Sequence, residues 1–223
     1  MDFHEYPDRE MMTLRLAQRI ASQLGETLRG AGRATLSVPG GTTPGPVFEI
    51  LSGAELDWAN VAIVLNDERW VPEDSPRSNT GLLRERLLVG RAAHAKFVPL
   101  YADYPTPEEA LEELRAGLAP HLPLSVLLLG MGEDMHTASL FPGADNLSAA
   151  LRSDAPPLMA MRAKAAGEPR VTLTWPVLRD ALRVHVIITG PAKREAIERA
   201  ARLSPSEAPI AAVLDQAQVH WAE

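Results

Sequence analysis

The sequence predicts an α/β fold: a mostly parallel sheet with helices on both faces. Two observations carry that expectation. Short apolar runs rich in β-branched residues alternate along the chain with longer amphipathic patterns, the rhythm of strand and crossover helix. The run Leu127-Leu128-Leu129 then stops abruptly at Gly130 and Gly132, as a buried parallel strand does on entering a loop.

The elements follow in order. A helix is expected over residues 8–29, because Met12, Leu16, Ile20, Leu24 and Leu28 recur at a spacing of four and draw one apolar stripe. Ala34–Val38 reads as a strand, followed by a Gly/Pro/Thr turn and a helix beginning near Pro44. Val61–Leu65 is a second buried strand, and residues 78–89 a helix capped by Ser78 or Asn79. A weak strand at 97–100 precedes a helix over 106–118, where Pro107 and the acids Glu108 and Glu109 mark the first turn. A strand at 125–129 leads into the glycine loop, with a short helix near 147–151. Further strands are expected at 158–161, 171–173 and 184–188, helices at 175–182 and 192–203, and a last strand near 219–221. No internal repeat or long linker divides the chain, so one domain spanning residues 1–223 is expected.

Bulk properties narrow the function classes. Hydrophobic residues make up 46% and charged residues 23% of the 223, the balance of a soluble protein with a substantial core. A formal net charge of −7 argues against nucleic acid and anionic membranes as partners. With no cysteine there are no disulfides, thiolate metal sites or cysteine nucleophile. Asp2, Glu5, Asp8 and Glu10 give the N-terminus the wrong charge for a targeting peptide, and a cytoplasmic protein is expected. The histidines at 4, 94, 121, 136, 185 and 220 show no metal-ligand spacing, and His185, inside an apolar strand, reads as a satisfied core residue. No Gly-x-Ser-x-Gly elbow is present.

Several segments carry chemistry. Gly130-Met131-Gly132-Glu133-Asp134-Met135-His136 places carboxylates and an imidazole in a loop at the carboxyl end of a strand, where open α/β sheets bind ligands. Beside those acids His136 is suited to proton transfer. The loop begins like a dinucleotide fingerprint, but Met135 replaces the final glycine and the acids lie where a pyrophosphate would sit, which disfavours a nucleotide cofactor. Pro39-Gly40-Gly41-Thr42-Thr43-Pro44 follows a strand and opens a helix, so backbone N–H groups and threonine hydroxyls can cradle a phosphate; a tight turn with a threonine cap is the plainer alternative. In Asn66-Asp67-Glu68-Arg69-Trp70-Val71-Pro72, Asp67 can accept or orient a proton and Arg69 can grip an anion, unless Glu68 and Arg69 are simply solvated. Lys193 sits in the first turn of a helix, against the helix dipole, a placement that makes sense with an anionic ligand between them; an exposed lysine stem is the plainer alternative. Arg170 is a second candidate cation, not ranked above Arg162 or Lys164.

These segments, with Ser78-Asn79, the run Thr137-Ala138-Ser139-Leu140-Phe141-Pro142-Gly143 and Arg170-Val171-Thr172, stand in the order seen in 6-phosphogluconolactonases, and the chain resembles that family over roughly residues 8–222. It departs at Met135, where the family usually has glycine, a residue that adopts φ > 0 far more readily than methionine, and at Thr42, where serine is common. The resemblance implies a modified Rossmann-like sheet shared with glucosamine-6-phosphate deaminases. It also implies hydrolysis of 6-phospho-D-glucono-1,5-lactone, the second step of the oxidative pentose phosphate pathway, without metal or organic cofactor. The expected ligand is a small sugar phosphate, and a monomer is compatible with that task.

Combined with the chemistry above, the resemblance assigns the phosphate to Gly40, Gly41, Thr42, Thr43, Lys193 and Arg170. His136 becomes the acid–base group, Asp134 or Asp67 orients it, and Arg69 or loop N–H groups face the oxyanion. One rival is an amino-sugar phosphate isomerase or deaminase on the same fold. Arg69 and the Thr137–Gly143 run weigh against it, because deaminases carry a tyrosine after the Asp-Glu pair and a different sequence after the histidine. A second rival, a non-catalytic sugar-phosphate sensor, is disfavoured by the retained acid–base loop and the lack of a basic face.

Overall fold

The computed structural model describes residues 1–164 and 166–223. In chain order the elements are β1 (Asp2–Glu5), α1 (Arg9–Ala31), β2 (Ala34–Val38), α2 (Gly45–Ser52), β3 (Val61–Leu65), β4 (Asp67–Arg69), α3 (Asn79–Arg86), β5 (Lys96–Val98), α4 (Pro107–Leu118), β6 (Val126–Gly130), α5 (Leu147–Ala150), β7 (Leu158–Met161), β8 (Arg170–Leu173), α6 (Trp175–Arg179), β9 (Val184–Thr189), α7 (Pro191–Ala200) and β10 (Ala217–Ala222). Among the described residues, no helix is long and apolar enough to cross a membrane.

Seven strands form one sheet in the order β1-β10-β9-β6-β2-β3-β5, every pairing parallel. Every residue of β2 and β3 is buried, as expected where both faces are covered. After β2 the chain moves outward through β3 to β5, whereas after β6 it moves the other way through β9 to β10. Right-handed crossovers in opposite directions leave on opposite faces, so the neighbours β2 and β6 flank a crevice at their carboxyl ends. The loops leaving those two strands are the glycine–threonine turn and the His136 loop. Topology thus brings together two segments some ninety residues apart in sequence.

A buried amide fastens the crevice. Asn66, directly after β3, accepts from Ser37 Oγ of β2 at 2.7 Å and donates through Nδ2 to the Leu128 carbonyl of β6 at 2.8 Å. Its own N–H donates to Val38 O at 2.8 Å. One side chain therefore ties three strand ends together and turns the chain out of the main sheet.

That exit accounts for the chief departure from the expected architecture. Asp67 to Arg69 form strand β4 rather than a loop, and β4, β8 and β7 make a separate antiparallel sheet. The strands at 158–161 and 171–173 therefore lie outside the main sheet. β1 was not foreshadowed at all: its burial pattern is half exposed and its sequence polar, so no periodicity marks it. Parallel pairing with β10 defines it instead. The helices at 78–89, 175–182 and 192–203 end three residues early, at Arg86, Arg179 and Ala200.

The long helix matches its pattern. Asp8 caps α1 by accepting from the Met11 N–H at 2.7 Å, and Gly32, at φ 73°, ends it. Met12, Leu16, Ile20 and Leu24 are essentially inaccessible, each contributing about 1.5–3 kcal/mol on burial.

Candidate active site

The first wall of the crevice is the turn after β2. Gly41 stands at φ 84°, a conformation glycine reaches without steric cost. Gly40 lies so tightly against the Asn79 amide that a Cβ there would overlap it. The threonines do not cap the following helix: the N-cap of α2 is Pro44, with no side-chain hydrogen bond. The Thr42 and Thr43 hydroxyls are exposed at the crevice instead.

The second wall is the loop after β6. Gly132 N–H donates to the His136 carbonyl at 2.9 Å and Met135 N–H to the Gly132 carbonyl at 3.0 Å, closing a compact turn. Asp134 Oδ1 accepts from the His136 backbone N–H at 3.2 Å and lies 2.5 Å from His136 Nδ1. The carboxylate favours the tautomer with its proton on Nδ1, which leaves the Nε2 lone pair directed elsewhere. A Cβ on Gly132 would overlap both partners of this pair, so glycine is required there. The Phe141 ring lies against the imidazole, centroids 4.2 Å apart. Glu133 is exposed and takes no part in the crevice.

Met135 adopts φ 65° despite being methionine. The left-handed conformation costs an L-residue about 1–2 kcal/mol. The side chain, 9% exposed within the core, recovers about 1.5–3 kcal/mol by burial. Met135→Gly is therefore expected to lower stability by about 1 kcal/mol even though it removes the strain. A urea midpoint that rises instead would mean that backbone strain outweighs the packing.

The cations come from three different elements. Lys193, in the first turn of α7, donates through Nζ to the Met131 carbonyl and so joins the start of that helix to the His136 loop. Arg170, on β8, has a side chain only 11% exposed; its Nη1 stands 3.4 Å from Asp67 Oδ2 and its guanidinium 5.4 Å from the Phe141 ring. Arg69, on β4, donates to the Arg77 carbonyl at 2.6 Å and pairs with Glu168 at 3.6 Å. Burial opposes ionisation of Glu168, yet the Arg77 hydrogen bond and the Arg77 and Arg170 charges hold its carboxyl below the ordinary value. Arg162 is turned away, paired with Glu108 at 2.5 Å, and neither it nor Lys164 lines the crevice.

The acids after β3 divide their work. Asp67 does not reach His136: its Oδ2 accepts from Ser139 Oγ at 2.6 Å and faces Arg170. Glu68 is fully buried, which corrects the solvated alternative. Its carboxylate accepts from the N–H groups of Arg69, Asn79 and Thr80 at 2.7–2.8 Å and from the hydroxyls of Ser78 and Thr80 at 3.1 and 2.7 Å. Those donors surround the start of α3, where a negative charge also complements the helix dipole. An acidic residue after a strand looks identical whether it faces water or a helix N-terminus, so only the fold could separate these readings.

Together the walls enclose a cavity of about 250 Å³ lined by Gly40, Gly41, Thr42, Thr43, Asp67, Arg69, His136, Arg170 and Lys193. Asp134 stands behind His136, outside the lining. Asn79, Ala138 and Thr189 also line it. Of these Asn79 reads in the sequence as a possible helix cap and as part of the Ser78-Asn79 pair in the family resemblance; the structure gives the cap to Ser78. Ser139 belongs to the Thr137–Gly143 run, but its contact with Asp67 left no sequence signal, because the two lie 72 residues apart.

Known proteins match this chain over nearly their whole length. A 6-phosphogluconolactonase from Mesorhizobium japonicum is 41% identical, the match covering 99% of this chain and 95% of the relative. A crystal structure of a 6-phosphogluconolactonase from Shewanella baltica, 34% identical, superposes with a TM-score of 0.97 over 100% of this chain and 98% of that one. A monomeric glucosamine-6-phosphate deaminase has the same fold at 17% identity, with a TM-score of 0.79 over 100% and 98% of the two chains. The sequence profile described as glucosamine-6-phosphate isomerases/6-phosphogluconolactonase matches residues 7–221, and this chain belongs to that family.

Proposed function

We propose that the chain hydrolyses 6-phospho-D-glucono-1,5-lactone to 6-phosphogluconate. The observation that carries this reading is the His136–Asp134 pair standing in one cavity with Lys193, Arg170, Arg69 and the Gly40–Thr43 turn. An ester with an anionic tail matches that distribution of charge. The Gly40–Thr43 backbone and hydroxyls, with Lys193 and Arg170, hold the phosphate, and anchoring that end lowers the entropic cost of attack at the other.

Neutral His136 takes a proton through Nε2 from a water as its oxygen adds to the lactone carbonyl carbon. The carbonyl oxygen becomes an oxyanion, faced by Arg69 or by loop N–H groups. The tetrahedral carbon re-forms its carbonyl as the bond to the ring oxygen breaks, and the imidazolium returns its proton to that oxygen. Asp134 holds the ring in the productive tautomer and stabilises the transient positive charge. Asp67 fixes Arg170 and, through Ser139, the segment following His136. The new carboxylic acid then ionises, releasing one proton per turnover at neutral pH.

That proton provides the test. Freshly prepared phosphogluconolactone should release acid far faster with the protein than without it, with no ammonia formed from glucosamine 6-phosphate. A rate equal to spontaneous opening removes the lactonase reading, and ammonia release would transfer the site to deaminase chemistry.

A further inference from the structure

Asn79 is 4% exposed and lines the cavity, yet the mechanism above gives it no task. Its position is over-determined. The backbone N–H is held by Glu68 at 2.8 Å, the side-chain Nδ2 donates to the Asp67 carbonyl at 3.0 Å, and the amide packs on the Cα of Gly40. Only the nitrogen of an amide can donate to a carbonyl, so the contact with Asp67 also sets which way the amide faces. Oδ1 is turned to Gly40 at the cavity wall, and among the described residues no side-chain or backbone donor hydrogen-bonds to it. Lys193 Nζ donates to the Met131 carbonyl and Arg69 Nη1 to the Arg77 carbonyl, and neither makes a hydrogen bond to Asn79.

A rigid acceptor without a donor selects what can sit beside it. A phosphate dianion, a lactone carbonyl and a product carboxylate all offer acceptors only, and are repelled. A hydroxyl offers a proton. We propose that Asn79 is a specificity-determining residue, whose Oδ1 accepts a hydrogen bond from one hydroxyl of the phosphorylated sugar lactone. This rests on the lactonase reading and deepens it: the site selects a polyhydroxylated chain between phosphate and ester, not merely any phosphorylated lactone.

The alternative is that Asn79 only braces the Asp67 carbonyl. A cycle of enzyme variant against substrate hydroxyl separates the two. Kinetics would be measured with 6-phosphogluconolactone and its 2-, 3- and 4-deoxy analogues, using the wild-type protein, Asn79→Ala and Asn79→Asp. The wild-type protein should hydrolyse one deoxy analogue with kcat/KM about 10- to 100-fold below the parent, because removing the donor withdraws the hydrogen bond to Asn79 Oδ1. Asn79→Ala should treat that analogue and the parent alike, within about threefold. Asn79→Asp keeps the acceptor oxygen while losing the brace, so it should retain the preference even if its overall rate falls.

A merely structural residue would slow parent and analogue equally and leave the ratio unchanged. The proposal is overturned if Asn79→Ala discriminates as the wild type does, or if the active wild-type protein treats all the deoxy analogues as it treats the parent. No turnover of the parent lactone by the wild type is a different result, one that removes the lactonase reading and this refinement with it.

Discussion

His136→Ala should lower kcat/KM for phosphogluconolactone by about 10²- to 10⁴-fold, the scale of a lost acid–base group. The loss should fall mainly on kcat, because the phosphate-holding turn, Lys193 and Arg170 remain in place. The fold should survive, since the imidazole is 30% exposed and its polar contacts are with Asp134, in the same loop. Asp134→Asn should do less damage: that carboxylate is 48% exposed, so water can take over part of its contact with Nδ1. Near-normal turnover by a folded His136→Ala protein would take the imidazole out of the chemistry.

A second large effect is on stability rather than rate. His185 and His220 lie in a buried chain of hydrogen bonds linking Tyr6, His220, His185 and Gln23 at 2.8–3.0 Å. Gln23 Oε1 can only accept, so His185 donates from Nε2, its Nδ1 accepts from His220 Nε2, and His220 Nδ1 accepts from the Tyr6 hydroxyl. Each neutral ring uses both its nitrogens, and a proton added to His185 Nδ1 would set its N–H against the N–H of His220. Burial, reinforced by Arg19 and His4, pushes His185 down to about 4. Burial, followed by the charges of His185, His4 and Arg19, pushes His220 down to about 2.

Between pH 6.5 and about 5 the unfolded chain therefore binds protons at both positions while the folded protein binds almost none. Stability is fully present above pH 6.5 and falls as the pH drops, through about 4 for His185 and on towards 2 for His220. From pH 7 to 5 the loss is about 2 kcal/mol for each ring, or roughly 4 kcal/mol together. His121, also lowered by burial and by Lys96 and Arg33, acts in the same direction. Urea unfolding at pH 7, 6 and 5 measures the slope, and His220→Gln should roughly halve it. A stability that stays flat across this range would show that the folded pair takes up protons as readily as the unfolded chain does.

How much of this was legible depended on how local its cause was. The stripe on α1 announces the helix because each residue of that face lies one turn from the next. Gly132 is also legible, since Asp134 and His136, a few residues on, exclude a Cβ there. β1 is the opposite case: four half-exposed residues become a strand only because β10 lies beside them. Glu68 looked as ready for solvent as for burial, and the start of α3 eleven residues on decides the matter. Arg170 could not be ranked above Arg162 or Lys164 until β8 paired with β4 and placed it beside Asp67.

By itself, then, the sequence determined the alternation of strand and helix, the two loops at strand ends and the imidazole carried by one of them. These follow from periodicity and from conformations open to single residues, which act over a few positions. Tertiary structure alone decided that Asp134 rather than Asp67 holds His136, that Asp67 belongs to Ser139 and Arg170, and that Asn79 packs on Gly40 in the cavity wall. Each of those outcomes depends on the direction in which a side chain points across a gap between elements. That direction is set by strand order and packing, over separations that no local pattern encodes.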